Sequence, residues 1–225
     1  MVAGYMVSIA NQSTGNITVG LATATATIDT VTNATATVSA KEVGTYLVNS
    51  AANGYSTNVW FKPPLTLATE QATTSGTAIN FTRIPKWVKR ITIMLDGVSA
   101  NNNLTGWLVQ IGDSGSSYAT SGYQSSAVLL RDSWAIVGRN STAGFLINAD
   151  TATASLCYGT MVLTLEDAVN GTWIATATVK DVNGVTHTMH SCAGAKTLSA
   201  TLDRLRLTTN TADTFDAGAM NILYE

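Results

Sequence analysis

The sequence predicts an all-β chain, with a small N-terminal β domain followed by an antiparallel β-sandwich of jelly-roll type. Three observations carry this. Apolar residues at i, i+3, i+4 and i+7 are scarce, and the strong helix formers Glu, Lys, Gln and Arg are rare. The β-branched residues Thr, Val and Ile dominate instead, and their restricted side-chain torsions favour a pleated strand. Several runs alternate apolar and polar residues, and Gly-bearing turn signals separate them.

In chain order, residues 20–40 (GLATATATIDTVTNATATVSA) alternate small residues with Thr, which predicts slim strands that bury little area per residue. Such strands, within an N-terminal domain of residues 1–70, suit a small sandwich or a strand set that completes its packing against another chain, as in an intertwined oligomer or a docking module. Lys62-Pro63-Pro64-Leu65 forces extended backbone and removes donors, and the small, polar stretch 68–77 places a boundary at about 65–75. Beyond it, Ile91, Ile93 and Leu95 share one strand face, as do Trp107, Val109 and Ile111. Met161, Leu163 and Leu165 form a third such face, and Trp173, Ala175, Ala177 and Val179 a fourth. Asn170-Gly171 and Asn183-Gly184 separate the runs 161–168, 172–180 and 185–192, predicting type I′ hairpins in a three-stranded meander. The apolar finish Met220–Tyr224 supplies a last strand, and the sandwich is assigned to 71–225.

Composition bounds the function. The 225 residues are 45% hydrophobic but only 12% charged, with a formal net charge of −2, so a large core is coupled to a neutral, hydroxyl-rich surface. No basic field gathers phosphates, which argues against nucleic acid as a partner. No stretch has the run of about 18 apolar residues that spans a membrane. Residues 1–10 lack the basic n-region of a signal peptide, which predicts synthesis in the cytoplasm. The N-x-S/T triplets at Asn11, Asn16, Asn33, Asn80, Asn103, Asn140 and Asn170 then reflect composition rather than glycosylation. Cys157 and Cys192 fit neither a disulfide framework nor a zinc spacing; they read as two buried thiols, with a single bridge as the alternative.

Gly112-Asp113-Ser114-Gly115 imitates the nucleophile segment of trypsin-like proteases, whose histidine and carboxylate come earlier in the chain; here no histidine precedes His187. A rearranged triad through His187 or His190 stays open, while a Gly/Ser turn explains the tetrapeptide without one. His187, His190 and Cys192 are metal-ligand types in one cluster, but strand alternation puts His190 and Cys192 on one face and His187 on the other. No metal and no cofactor is expected. Asp96, Asp113, Asp167 and Asp181 stand beside or near Gly or Asn at apparent turns, so no glycosidase pair is selected and no catalytic residue is assigned.

Arg83, Lys86, Lys89 and Arg90 gather around Pro85 and Trp87. Solvation with the tryptophan turned inward is the default reading, and a cationic contact site the alternative. The segment 112–126 (GDSGSSYATSGYQSS) is the leading candidate for a binding surface. Tyr118 and Tyr123, set beside Ser116, Ser117 and other small hydroxyl residues, pair flat apolar rings with hydroxyls, a mixture suited to sugar rings or a protein partner. A solvated hairpin loop with both tyrosines packed inward competes with that reading.

Four stretches carry a resemblance: Ile84–Ser99 (IPKWVKRITIMLDGVS), Leu108–Asp113 with Thr120–Tyr123, Leu202–Thr208 (LDRLRLT) and Asp213–Glu225 (DTFDAGAMNILYE). In this order they resemble a β-rich module at the C-termini of tail-fibre and other virion proteins of tailed bacteriophages, over about residues 79–225. The resemblance implies a non-enzymatic structural protein of the virion, a homotrimer, with a short tail fibre for host attachment as the leading role. The N-terminal domain would dock on other virion proteins of the viral tail, such as an adaptor, nozzle or connector. The sandwich would face host surface polysaccharide. The alternatives are a head fibre or capsid decoration protein seated on capsid protein, and a polysaccharide-binding or depolymerising module.

Overall fold

In a computed structural model the chain divides into two units, Met1–Pro64 and Leu65–Glu225. The structure describes residues 65–101, 106–113, 115, 117–131, 136–149, 155–182, 188–211 and 213–225 and, as backbone alone, the strands within 5–61 and positions 183, 186 and 187. Among the described residues every regular element is a strand and there is no helix, as the scarcity of helix formers predicts.

The first unit contains β1 (Tyr5–Ala10), β2 (Ile17–Gly20), β3 (Thr27–Ile28), β4 (Val31–Thr32), β5 (Thr35–Val38), β6 (Val43–Val48) and β7 (Asn58–Phe61). They pair antiparallel as β1-β6-β7, β2-β5 and β3-β4. Within the Thr-rich segment 20–40 the described strands are short: β3 pairs with β4, and β5 pairs with β2, which ends at Gly20.

The second unit begins with β8 (Thr66–Leu67), β9 (Gln71–Ala72), β10 (Ala78–Thr82), β11 (Arg90–Ala100), β12 (Trp107–Asp113) and β13 (Gln124–Arg131). It continues with β14 (Val137–Ser141), β15 (Phe145–Leu146), β16 (Leu156–Asp167), β17 (Thr172–Asn183), β18 (Thr186–Thr197), β19 (Leu202–Thr209) and β20 (Phe215–Tyr224). One sheet has four strands in the order β10-β19-β12-β15. The other has nine, ordered β14-β13-β18-β17-β16-β11-β20-β8, with β9 also on β20. The second unit starts at Leu65, and β8 and β9 extend its β20 edge: Leu67 pairs Leu223 and Ala72 pairs Ala219.

The meander β16-β17-β18 is present as predicted, but its turns differ. Asp167 pairs with Thr172, so four residues, 168–171, make the first connection. Only Gly171 has a positive φ there (71°), whereas a type I′ turn needs two such residues. The Asp167 carboxylate enforces the longer turn by accepting from the amides of Val169 (2.7 Å) and Asn170 (3.0 Å). The second connection is displaced by one residue, since Asn183 is a ladder position opposite Thr186.

The alternating residues face one another across the two sheets. Phe81, Val109, Ile111, Leu205 and Leu207 line the inner face of the small sheet. Ile91, Ile93, Met161, Leu163, Trp173, Ala175, Met220 and Ile222 line that of the large one, and all belong to one buried cluster. Fully burying an aliphatic or aromatic side chain of this size contributes roughly 1.5–3 kcal/mol. Trp107 meets Phe215 edge-on with ring centroids 5.7 Å apart, tying β12 to β20 across the sandwich.

One backbone crossing shapes the large sheet. β11 alternates in burial up to Asp96, then runs buried from Gly97 to Ala100. The change coincides with a bulge where Gly97 adopts φ 62° and Gly218 of β20 adopts φ 89°. A Cβ on Gly218 would lie 2.3 Å from both the C and O atoms of Gly97, so only glycine fits. Gly218→Ala is expected to destabilise the fold by about 3 kcal/mol or more. A denaturant midpoint matching wild type would show that β11 and β20 do not cross this closely.

Candidate functional site

The segment 112–126 joins β12 to β13, and it folds back on its own strand. Ala119 donates its amide to the Ile111 carbonyl (2.9 Å), and Tyr118 forms an isolated bridge with Gly112. This return explains Gly112: a Cβ there would sit 2.3 Å from the Ser117 carbonyl oxygen and 2.8 Å from Cγ of Arg204. The strand end Asp113 accepts Gly115 N–H at 3.1 Å and the Ser199 hydroxyl at 2.7 Å. Those bonds, Ser199 first, hold the Asp113 carboxyl below its ordinary pKa.

The two tyrosines have opposite fates. Tyr123 is fully buried, so the expectation that its ring is offered to a ligand is corrected. Its hydroxyl accepts Ile111 N–H (2.9 Å) and donates towards the carbonyl oxygens of Ala119 (3.1 Å) and Ile111 (3.3 Å). The ring stands edge-on to Phe145 at 4.9 Å. Burial pushes the phenol up to about 12, so it stays neutral and locks the loop base. Tyr118 is only partly buried and keeps a solvent-facing surface. The Arg206 guanidinium carbon lies 4.5 Å from its ring centroid. Ser117 is exposed nearby, and Ser116 lies outside the described residues.

Arg206 is held from behind. Its Nε donates to Gln110 Oε1 (2.7 Å), and Gln110 Nε2 donates to the Ala143 carbonyl (2.7 Å). Gln110 and Arg206 are direct partners in the β12·β19 ladder, as are Gly112 and Arg204. Arg204 forks onto its neighbour Asp203 through Nε (2.7 Å) and Nη2 (3.1 Å). Beside this row, Gly112, Asp113, Ser117, Lys196 and Ser199 line a hollow of about 300 Å³. Its walls offer a carboxylate, hydroxyls and an ammonium. Sequence reasoning missed Arg206, Gln110 and Lys196; only the alternation Arg204-Leu205-Arg206 signalled two outward arginines.

No protein-family model matches the chain, and no curated protein or solved structure shows significant similarity to it. The likeness to phage virion proteins therefore rests on the four sequence segments alone.

The other candidates separate from this end of the molecule. His190 and Cys192 share an inward face, as the alternation predicts; the His187 side chain lies outside the described residues. His190 Nδ1 accepts Ala149 N–H (3.1 Å), so its neutral form carries the proton on Nε2, which lies 3.8 Å from Asp181 Oδ2. Asp181 is buried within β17, not at a turn as its position near Asn183 suggested, because the strand runs on to Asn183. Six residues of β18 separate His190 from Lys196, roughly 20 Å of strand, so His190 does not reach the Asp113 end. Cys157 and Cys192 are free buried thiols; burial raises both, Cys192 to about 12, so neither is a nucleophile at neutral pH.

The basic cluster is dispersed. Trp87 packs inward with its ring 5.9 Å from that of Tyr224, and Arg90 pairs with Glu225 at 3.3 Å. Lys86 and Lys89 stay exposed on a shallow groove of about 210 Å³ that also includes Asn170 and Thr201.

A titration tests the Asp113 anchor. Its lowered pKa means that the Ser199 bond is intact above the ordinary carboxylate range and is lost as pH falls through the lowered value. Ser199→Ala should raise the Asp113 pKa in a carboxyl NMR titration, and an unchanged curve would remove Ser199 as its anchor.

Proposed function

We propose that the chain is a non-enzymatic structural component of a tailed-phage virion, a short tail fibre. Its second unit binds host surface polysaccharide at the Tyr118 end, and its first unit docks on proteins of the tail. The observation that carries the binding reading is Tyr118, partly exposed, braced by Arg206 and set beside a polar hollow of about 300 Å³. An aromatic face stacks on the C–H side of a sugar ring, while the hydroxyls of that ring meet carboxylate, hydroxyl and ammonium groups such as Asp113, Ser117 and Lys196.

Binding is favoured over depolymerisation by the state of the acids. Glycoside cleavage needs one carboxyl whose pKa is raised so that it can donate a proton. Asp113 is shifted the other way, and Asp203 is engaged by the Arg204 fork. A neutral, hydroxyl-rich exterior also keeps contacts insensitive to salt, which suits a surface exposed to changing media.

The full chain, immobilised and offered a panel of bacterial surface polysaccharides, is expected to retain at least one. Tyr118→Ala and Arg206→Ala should each weaken that binding about tenfold, the equivalent of about 1.4 kcal/mol. Tyr123→Phe should leave it unchanged while lowering stability by about 1–2 kcal/mol through the lost buried hydroxyl. Undiminished binding in both the Tyr118 and Arg206 variants would remove this site. Locating the chain in a density map of the particle separates a tail fibre from a head fibre or decoration protein, and reads its copy number against the homotrimer.

A further inference from the structure

The nine-stranded sheet has a second face, turned away from the core, whose chemistry differs from that of a solvated sheet surface. Cross-strand register aligns its outward side chains in rows. One row reads Val128, Ser191, Thr178, Thr160, Met94 and Asn221 across six strands. The next runs from Ser126 on β13 through Thr176 and Val162 to Leu223 on β20, which pairs onward to Leu67. Neither row contains an ionisable residue. The flanking rows add large apolar groups that are unusually open: Leu130 is 45% exposed, Met189 46%, Tyr158 39% and Ile174 38%. Among the described residues, the charges on this face lie beyond the two central rows, at Lys180 and Asp96 on one side and at Arg90 and Glu166 on the other.

A water-facing sheet surface ordinarily alternates apolar-in with polar-out and uses charge to block edge and face association. Depletion of charge at the centre with apolar and small hydroxyl residues across it is the composition of an interface core. We infer that this face is the contact surface for a second copy of the same chain, packed sheet to sheet. Two features favour a like partner. The central rows carry no charge that an oppositely charged protein would complement, whereas the same uncharged patch on another copy matches it without burying an unpaired ion. The size fits as well: six strands at about 4.8 Å and four side-chain rows at about 6.8 Å, the outer two carrying Lys180 and Arg90 as a charged rim, cover on the order of 800 Å². That is about what each partner contributes to a stable interface.

The test uses the full chain in sedimentation equilibrium. Wild type is expected to self-associate at micromolar concentration. A Thr160→Lys, Thr176→Lys double variant sets two like charges at the centre of the face and should weaken association at least about a hundredfold. Both positions are exposed, so its circular dichroism spectrum should match wild type. The uncharged pair Thr160→Val, Thr176→Val should associate at least as tightly as wild type. A wild-type chain that stays monomeric at 100 μM would overturn the inference. So would a lysine variant that associates as wild type does, since assembly would then run through another surface.

Discussion

The second unit depends on the point where β11 and β20 touch backbone to backbone. Gly97 and Gly218 lie so close that neither strand has room for a side chain on Gly218, and both glycines take conformations that other residues resist. The strands bend at this bulge, and the bend converts an alternating strand into one buried on both faces from Val98 to Ala100. It also carries Phe215 inward to meet Trp107, the edge-on contact that joins the large sheet to the small one. Neighbouring groups pin the bend. Ser99 donates to Asp216, and Thr73 gives its amide to the Gly218 carbonyl and its hydroxyl to that of Ala217. Residues just after the unit boundary therefore fasten a crossing near the C-terminus, which is why β8 and β9 belong to this unit.

Local pattern made most of the strands readable from the sequence. Period-two alternation marks the inner residues of β11, β16 and β17 without tertiary knowledge, because one face of each strand meets the core, and it marks those of β12 although both of its faces are buried. Trp87 turned inward follows from the same reasoning. Turns were less legible. Asn170-Gly171 carries a strong two-residue signal, yet a carboxylate three residues earlier captures the amides and imposes a longer connection. Asp181 misleads for a related reason: its position near Asn-Gly suggests a turn, but only the length of the β17·β18 ladder reveals that it is buried beside His190.

The candidate site was half legible. A tyrosine pair in a small-residue loop is visible in sequence, but the fate of each ring is decided by residues far away. Tyr123 is drawn inward by Phe145 and by a backbone that offers both a donor and an acceptor at Ile111. Tyr118 stays near the surface because Arg206 supports it, and that contact exists only because β19 runs beside β12. More than half of the unit's sequence lies between these strands, so no local signal announces the pairing. The same nonlocal ladder places Gln110 behind Arg206.

Charge is scarce in this chain, and several of its ionised groups are paired in place. Arg204 is engaged by Asp203, Arg90 by Glu225, and Asp113 by a hydroxyl and an amide. In the proposed reading, recognition falls to the Tyr118 ring and to hydroxyls, with Arg206, Lys196 and Asp113 as the few charges at that end. The two proposed contact surfaces lie on opposite outer faces of the sandwich. Arg206 and Gln110 alternate with the inward Leu205, Leu207, Val109 and Ile111, so the Tyr118 end belongs to the exterior of the four-stranded sheet. Thr160, Thr176 and Met94 belong to the exterior of the nine-stranded sheet. The proposed association through the large sheet would leave the small sheet and its loop uncovered, so the second copy would contribute a second binding end. On the proposed function, weak single contacts with a repetitive polymer would be strengthened in this way without any new chemistry.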